Sequence, residues 1–116
     1  MTDIAIIGAG PIGLTLANLL GVRGLSVRVI EKQAQYYDLP RAIHFDGEAM
    51  RVFQATGLAE EVLAQTHVGV GMLFKNADDV VLIDWSRAQD IGPMGWHESY
   101  RFHQPGLEDA LRRGLD

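Results

Sequence analysis

Three glycines and one carboxylate carry the clearest chemical signal in the chain. Gly8, Gly10 and Gly13 stand in the spacing Gly-x-Gly-x-x-Gly directly after the apolar run Ile4-Ala5-Ile6-Ile7, and Glu31 follows eighteen residues after the last glycine. Each position answers a physical need of dinucleotide binding. Gly8 allows a tight turn off a strand, Gly10 lets backbone approach a pyrophosphate, and Gly13 lets a helix pack close to a sheet. The helix that starts there offers amide hydrogens and the positive end of its dipole to phosphates. Glu31 can accept hydrogen bonds from both hydroxyls of an adenosine ribose. A carboxylate there repels a 2′-phosphate, which favours FAD or NAD over NADP. Pro11 and Ile12 inside the turn, and Lys32 beside the carboxylate, complete this candidate cofactor-binding set. Pro11 departs from no physical requirement, because proline is tolerated at a helix start.

These residues need a strand, a turn, a helix and a second strand to position them. The sequence predicts strand 4–7, helix 12–22 and strand 26–31. Ile4–Ile7 reads as a buried strand of a parallel sheet, and Leu14, Leu16, Ala17 and Leu20 recur at helical spacing. Gly21 and Gly24 mark the helix end, and Val27, Val29 and Ile30 form the next strand. This is a βαβ unit with a right-handed crossover. The expected fold is α/β, a Rossmann-like three-layer domain with a parallel sheet, incomplete, plus a β-hairpin.

Beyond Glu31 the pattern is less regular. Lys32 to His44, including Tyr36, Tyr37, Pro40 and Arg41, reads as a long loop of the kind that often carries function. Asp46 is a predicted N-cap for a helix reaching about Thr56, with Met50, Val52 and Phe53 as its apolar residues. Gly57 breaks that helix, and Leu58 to Gln65 forms another, with Val62 and Leu63 facing inward. Val70–Lys75 and Val80–Trp85, joined by Asn76-Ala77-Asp78-Asp79, predict a hairpin. Residues 86–98 read as irregular, and Tyr100–His103 as a short strand. Pro105 is expected at the first position of a last helix whose Leu107 and Leu111 share a face. Glu108 and Asp109 are placed near its positive end, with Arg112 and Arg113 near its negative end.

Bulk properties narrow the classes of function. The 116 residues are 47% hydrophobic and 22% charged, as in ordinary globular domains. The net charge of −5 and the absence of any basic run argue against a nucleic-acid partner. With no cysteine there is neither a disulfide nor a thiolate metal site. His97 and His103 show no metal-ligand pattern, so no metal is expected. No signal peptide and no membrane-spanning stretch is expected, so the predicted location is cytoplasmic. Trp85, Trp96 and Tyr100 read as packing residues. His44 and Asp46 lie two apart, but a cap for Asp46 and space-filling beside Phe45 for His44 account for them without catalysis.

The residues past the turn carry a resemblance. Ile4 to Gly13, Val29-Ile30-Glu31-Lys32 and Leu39-Pro40-Arg41-Ala42-Ile43 are similar to the start of the group A flavoprotein aromatic hydroxylases. Within them, Arg41 to Arg51, Phe53-Gln54, Gly57-Leu58 and Phe102-His103-Gln104-Pro105 with Leu107, Glu108 and Leu111 resemble the 3-(3-hydroxyphenyl)propionate hydroxylases. The resemblance implies FAD as cofactor, NAD(P)H as transient co-substrate, and transfer of one oxygen atom of dioxygen to the ring of a small phenolic substrate. It places Arg41 along the flavin's phosphate and ribityl region, where a planar fork of donors suits phosphate oxygens. It also makes Gln104 a cofactor contact. A surface arginine and a polar helix cap are the plainer readings of these two.

In that family a second flavin-binding Gly-Asp segment, a middle Asp-Gly segment and a substrate-covering sheet come later. The 116 residues are therefore expected to be the N-terminal portion of an FAD-binding domain, with no assignable catalytic residue. By themselves they should bind an adenine nucleotide weakly and turn nothing over, and their uncovered apolar surface could support self-association. An NAD-dependent dehydrogenase module and a non-catalytic fragment remain the alternative readings.

Overall fold

The computed structural model describes residues 1–34 and 39–115. The Tyr36-Tyr37 pair therefore lies outside the described residues. Strand β1 (Ile4–Ile7) and strand β2 (Val27–Ile30) pair in parallel, with Ile4 opposite Val27 and Ile7 opposite Ile30. Helix α1 (Pro11–Gly21) connects them. Its proline sits in the first turn, where no intrahelical partner is lost, and Gly24 at φ +79° turns the chain back. The predicted βαβ unit is present with boundaries shifted by about a residue, within the usual fraying of element ends.

The burial of this unit differs from the expectation. Only Ile6 of β1 is buried, together with Leu14 and Ala17 of α1, which cover that face. Ala5, Ile7, Arg28 and Ile30 on the other face are exposed. A continuous apolar run predicts cover on both faces, but among the described residues the third layer is missing.

The second half of the chain builds around strand β7. After β2 come β3 (His44–Asp46), α2 (Gly47–Ala55), α3 (Ala59–Leu63), β4 (Thr66–Val68), β5 (Gly71–Lys75), β6 (Val81–Ser86), β7 (Ser99–Phe102) and α4 (Gln104–Arg113). β7 is the central strand of an antiparallel sheet in the order β3-β7-β4. Neither β3 nor β4 was expected. Each is three residues long and exists through pairing with β7, His44 opposite Arg101 and Thr66 opposite Phe102.

Local signals elsewhere read correctly. Asp46 caps α2, its carboxylate accepting from the amide of Ala49 at 3.0 Å. Gly57 follows that helix at φ +79°. β5 and β6 form the expected hairpin, whose turn is closed by Asn76: its side-chain oxygen accepts from the amides of Asp78 and Val80 at 2.9 and 3.0 Å. Ser86 still belongs to β6, and residues 87–98 are irregular apart from a bridge between Ile91 and His97.

The core joins the two halves. Leu14, Met50, Val62, Tyr100 and Leu111 are almost fully buried, and Phe53 and Leu107 pack with them. Phe45 of β3 lies 5.2–5.4 Å, ring centre to ring centre, from Phe53, Tyr100 and Phe102. Asn18 is a buried polar residue in α1. Its amide donates to the carbonyls of Leu14 and, across 93 residues, of Leu111 at 2.8 Å, which links α1 to α4.

Three expectations change on this side. Trp85 does not pack inward: it is 43% exposed, and the Arg87 guanidinium lies 4.3 Å from its ring. Pro105 is the second residue of α4, since Gln104 already begins the helix. Glu108 is not a dipole-facing residue of the first turn, which holds no acid; it is buried against Gln104. The hairpin β5-β6 is exposed along nearly its whole length, including Leu73, Leu82 and Ile83. No helix among the described residues is long and apolar enough to cross a membrane.

Candidate functional site

The glycine turn joins the end of β1 to the start of α1, and its three glycines are needed for three different reasons. Gly8 adopts φ +105°, a conformation that side chains disfavour. Its amide donates to the carbonyl of Ile30 at 2.7 Å, which fixes the turn against the end of β2. Gly13 faces the turn so closely that a Cβ there would run into the carbonyl oxygen of Gly8 and approach Ile6. Gly10 is the opposite case. Its backbone is ordinary extended chain, and a Cβ there would meet nothing within 4 Å. Nothing among the described residues requires glycine at position 10, and the space beside it is open.

Helix α1 starts at this opening without a side-chain cap and with no acidic residue in its first turn. Its first amides therefore keep the donor capacity and positive dipole end that an anion requires. Ile12 is 84% exposed beside them.

Glu31 closes the turn from the other side. Its carboxylate accepts from the amide of Ala9 at 2.8 Å and from the amide of Gln33 at 3.0 Å. Above all the Ala9 bond, then that of Gln33, holds the Glu31 carboxyl below its ordinary value of 4.5. The side chain is exposed, so lone pairs not aimed at these amides are open to a ligand. A carboxyl lowered by folding favours the folded turn above its unfolded pKa, and that contribution is lost as pH falls through the lower folded value. An NMR titration of the Glu31 side-chain carboxyl should give a midpoint below 4.5. A midpoint at or above it would remove the Ala9 bond from solution. Lys32 is exposed beside Glu31.

A second segment lies across from the turn. The backbone amides of Arg41 and Ala42 donate to the side-chain oxygen of Gln104 at 2.8 and 2.9 Å, and Gln104 in turn donates to Glu108 at 2.9 Å. Gln104 is buried, while the Arg41 side chain is exposed. These bonds make Gln104 a holder of the Arg41 segment in place of a helix cap, and they involve only the backbone of Arg41. Arg112, two turns further along α4, donates to the carbonyl of Ala9 at 3.2 Å. The structure thus assembles Gly8, Gly10, Pro11, Ile12, Gly13, Glu31 and Lys32 at one place, and Arg41 with Gln104 at another, linked through α4.

Arg112 and Glu108 were missed as members of this assembly. The available signal was their spacing: Gln104, Glu108 and Arg112 are four apart and share one side of α4. His44 meets Ser99 at 2.9 Å, and its neighbour Asp46 is used as the cap, so neither is set up as a catalytic pair. A groove of about 450 Å³ between α1, β2 and Leu115 is bordered by residues such as Ala17, Val22 and Val29 and by no ionisable side chain. It offers shape without chemistry.

Comparison with known proteins defines the class. Residues 1–115 match the FAD binding domain family, and the chain belongs to it. It is 47% identical over 109 residues to the "Probable NADH-specific resorcinol 4-hydroxylase" of Rhodococcus jostii strain RHA1, covering 94% of this chain and 20% of that protein. It is 44% identical over 114 residues to 3-(3-hydroxy-phenyl)propionate/3-hydroxycinnamic acid hydroxylase 1 of Burkholderia vietnamiensis, covering 98% and 18%. Among solved structures, PqsL of Pseudomonas aeruginosa, described as a probable FAD-dependent monooxygenase, superposes with a TM-score of 0.78 at 26% identity, over 99% of this chain and 30% of that one. The chain spans about a fifth of the length of the curated relatives it matches. The family match decides between the two dinucleotides that the glycine turn leaves open, in favour of FAD.

Proposed function

We propose that these residues form the N-terminal part of the FAD site of a cytoplasmic monooxygenase that hydroxylates a small phenolic compound with NAD(P)H and dioxygen. The observation that carries the cofactor site is the contrast within the glycine turn. Gly13 is closed by the protein itself, whereas Gly10 opens onto empty space at an uncapped helix start. That pairing suits a pyrophosphate lying over Gly10, Pro11, Ile12 and Gly13, with Gly8 shaping the turn. Glu31 holds the adenosine ribose, its remaining lone pairs accepting from the hydroxyls, and Lys32 lies beside it. Arg41 reaches the phosphate and ribityl region, and Gln104 approaches the cofactor through the N–H that Glu108 leaves over. When bound, FAD supplies what no side chain has, acceptance of a hydride equivalent and activation of dioxygen. The chain's own part is to bind and orient.

The substrate class rests on the relatives' names. One is named for resorcinol and the other for 3-(3-hydroxyphenyl)propionate or 3-hydroxycinnamate, all hydroxylated benzene rings. The NADH specificity in the first name supports NADH as reductant.

The test is retention of FAD and its dependence on Glu31. FAD titration of the complete enzyme should saturate, and Glu31→Ala in it should weaken binding roughly ten- to hundredfold, as expected for loss of charge-assisted hydrogen bonds worth about 1.5–3 kcal/mol. NADH consumption by the complete enzyme should be coupled to hydroxylation of resorcinol or 3-(3-hydroxyphenyl)propionate. A protein that binds NAD in place of FAD, or an Ala variant with unchanged FAD affinity, refutes the assignment.

A further inference from the structure

The two cofactor-facing segments, the glycine turn and residues 41–42, lie far apart in the sequence. What connects them is α4. At one end Gln104 accepts both amides of the Arg41-Ala42 segment, and at the other Arg112 donates to the carbonyl of Ala9 inside the glycine turn. Eight residues of helix separate these anchors, a span of about 12 Å along the axis. The contacts bridge 63 and 103 residues of sequence, so no local preference creates them.

Ala9 is gripped on both sides. Its amide, in the Gly8–Ala9 peptide, donates to Glu31, and its carbonyl, in the Ala9–Gly10 peptide, accepts from Arg112, which restrains the two successive peptide planes leading into Gly10. Rotation of either plane would re-aim the backbone at the opening. At the far end, the Gln104 oxygen has two lone pairs and both are taken by backbone amides. Glu108, buried between the anchors, accepts from the Gln104 amide and so fixes which way that side chain points. The helix itself is held in place by Leu107, Ala110 and Leu111 in the core and by the Asn18 bond to the Leu111 carbonyl.

We propose that α4 is a brace that sets the glycine turn and the Arg41 segment at the separation FAD requires, with Gln104 and Arg112 as its two positioning residues. The proposal rests on the FAD-site reading, which it deepens. Neither residue need touch the cofactor for this role.

The experiment combines amide hydrogen exchange of the cofactor-free chain with FAD titration. Arg112→Met keeps the apolar stem and removes the donor, while Arg112→Lys restores a single donor. Gln104→Met removes the acceptor, while the exchanged pair Gln104→Glu with Glu108→Gln retains oxygens for the two amides and a donor between the two side chains. Exchange across residues 8–13 should quicken roughly tenfold in Arg112→Met and recover in part in Arg112→Lys. Exchange across residues 39–45 should quicken to a similar extent in Gln104→Met and stay slow in the exchanged pair. FAD affinity should fall roughly tenfold in each Met variant and follow the same pattern of rescue. The brace is overturned if exchange at 8–13 is unchanged in Arg112→Met. It is equally overturned if the loosening spreads evenly through α2 and β2, which would make Arg112 a general stabiliser. A complete wild-type enzyme that fails to bind FAD overturns the cofactor reading instead, and exchange still decides the brace.

Discussion

Gly13→Ala is expected to destabilise the fold by about 3 kcal/mol or more, lowering the midpoint of thermal unfolding by ten degrees or more. Two effects oppose each other at this position. Position 13 lies in the first turn of α1, where alanine is intrinsically preferred over glycine by about 1 kcal/mol. Against that, the added methyl group meets the carbonyl oxygen of Gly8 and comes within 3.3 Å of Ile6. Overpacking against movable side chains costs about 1–3 kcal/mol. Here the nearest atom is backbone, and it belongs to a residue already held at φ +105° and hydrogen-bonded to Ile30. Relief would require α1 to lift away from β1, uncovering Leu14 and Ala17. The steric term therefore wins. For a domain of this size, total stability is on the order of 6–17 kcal/mol, so the loss is a large share of it. A variant with wild-type unfolding temperature would show that the helix does not seat on the turn as described.

The parts of the fold legible in the sequence are those fixed within one stretch of chain. Gly8 in its turn, Asp46 as a cap and Asn76 in the hairpin turn act on neighbours a few residues away and are found in those roles, and Pro105 falls one residue later in its helix than expected. β3 and β4 are different. His44–Asp46 and Thr66–Val68 are too short to show a period, and their strand character comes from β7, which lies more than thirty residues further on. The candidate site divides the same way. Glu31 was readable because its distance from the turn is set by one βαβ unit. The assignment of Gln104 to the Arg41 and Ala42 amides was not, because β7 and α4 have to be in place before the two segments meet. Glu108 was misplaced because a helix position gives its distance from the dipole but not its burial. Likewise the apolar run Ile4–Ile7 states a preference for cover, while the cover itself depends on what packs against Ile7 and Ile30.

Gly10→Ala is expected to separate folding from binding, leaving the unfolding temperature within a few degrees of wild type while weakening FAD at least a hundredfold. The folded state tolerates the change because the Gly10 backbone lies in the extended region that any residue adopts, and the new methyl group has no protein atom within 4 Å. The remaining structural cost is that of alanine in place of glycine at the N-cap, about 0.5–1 kcal/mol. Binding is another matter. If a pyrophosphate packs over the start of α1, a methyl group at this point holds it away from the amides of the first turn. Each charge-assisted bond lost there is worth about 1.5–3 kcal/mol, and two such bonds amount to a hundredfold or more in affinity. The same substitution made three residues later should show the reverse order of effects, folding failing first. Calorimetric unfolding and FAD titration on the two variants side by side are the measurement. Gly10→Ala retaining FAD within threefold of wild type would place the cofactor somewhere other than over the turn, whatever the stability of Gly13→Ala.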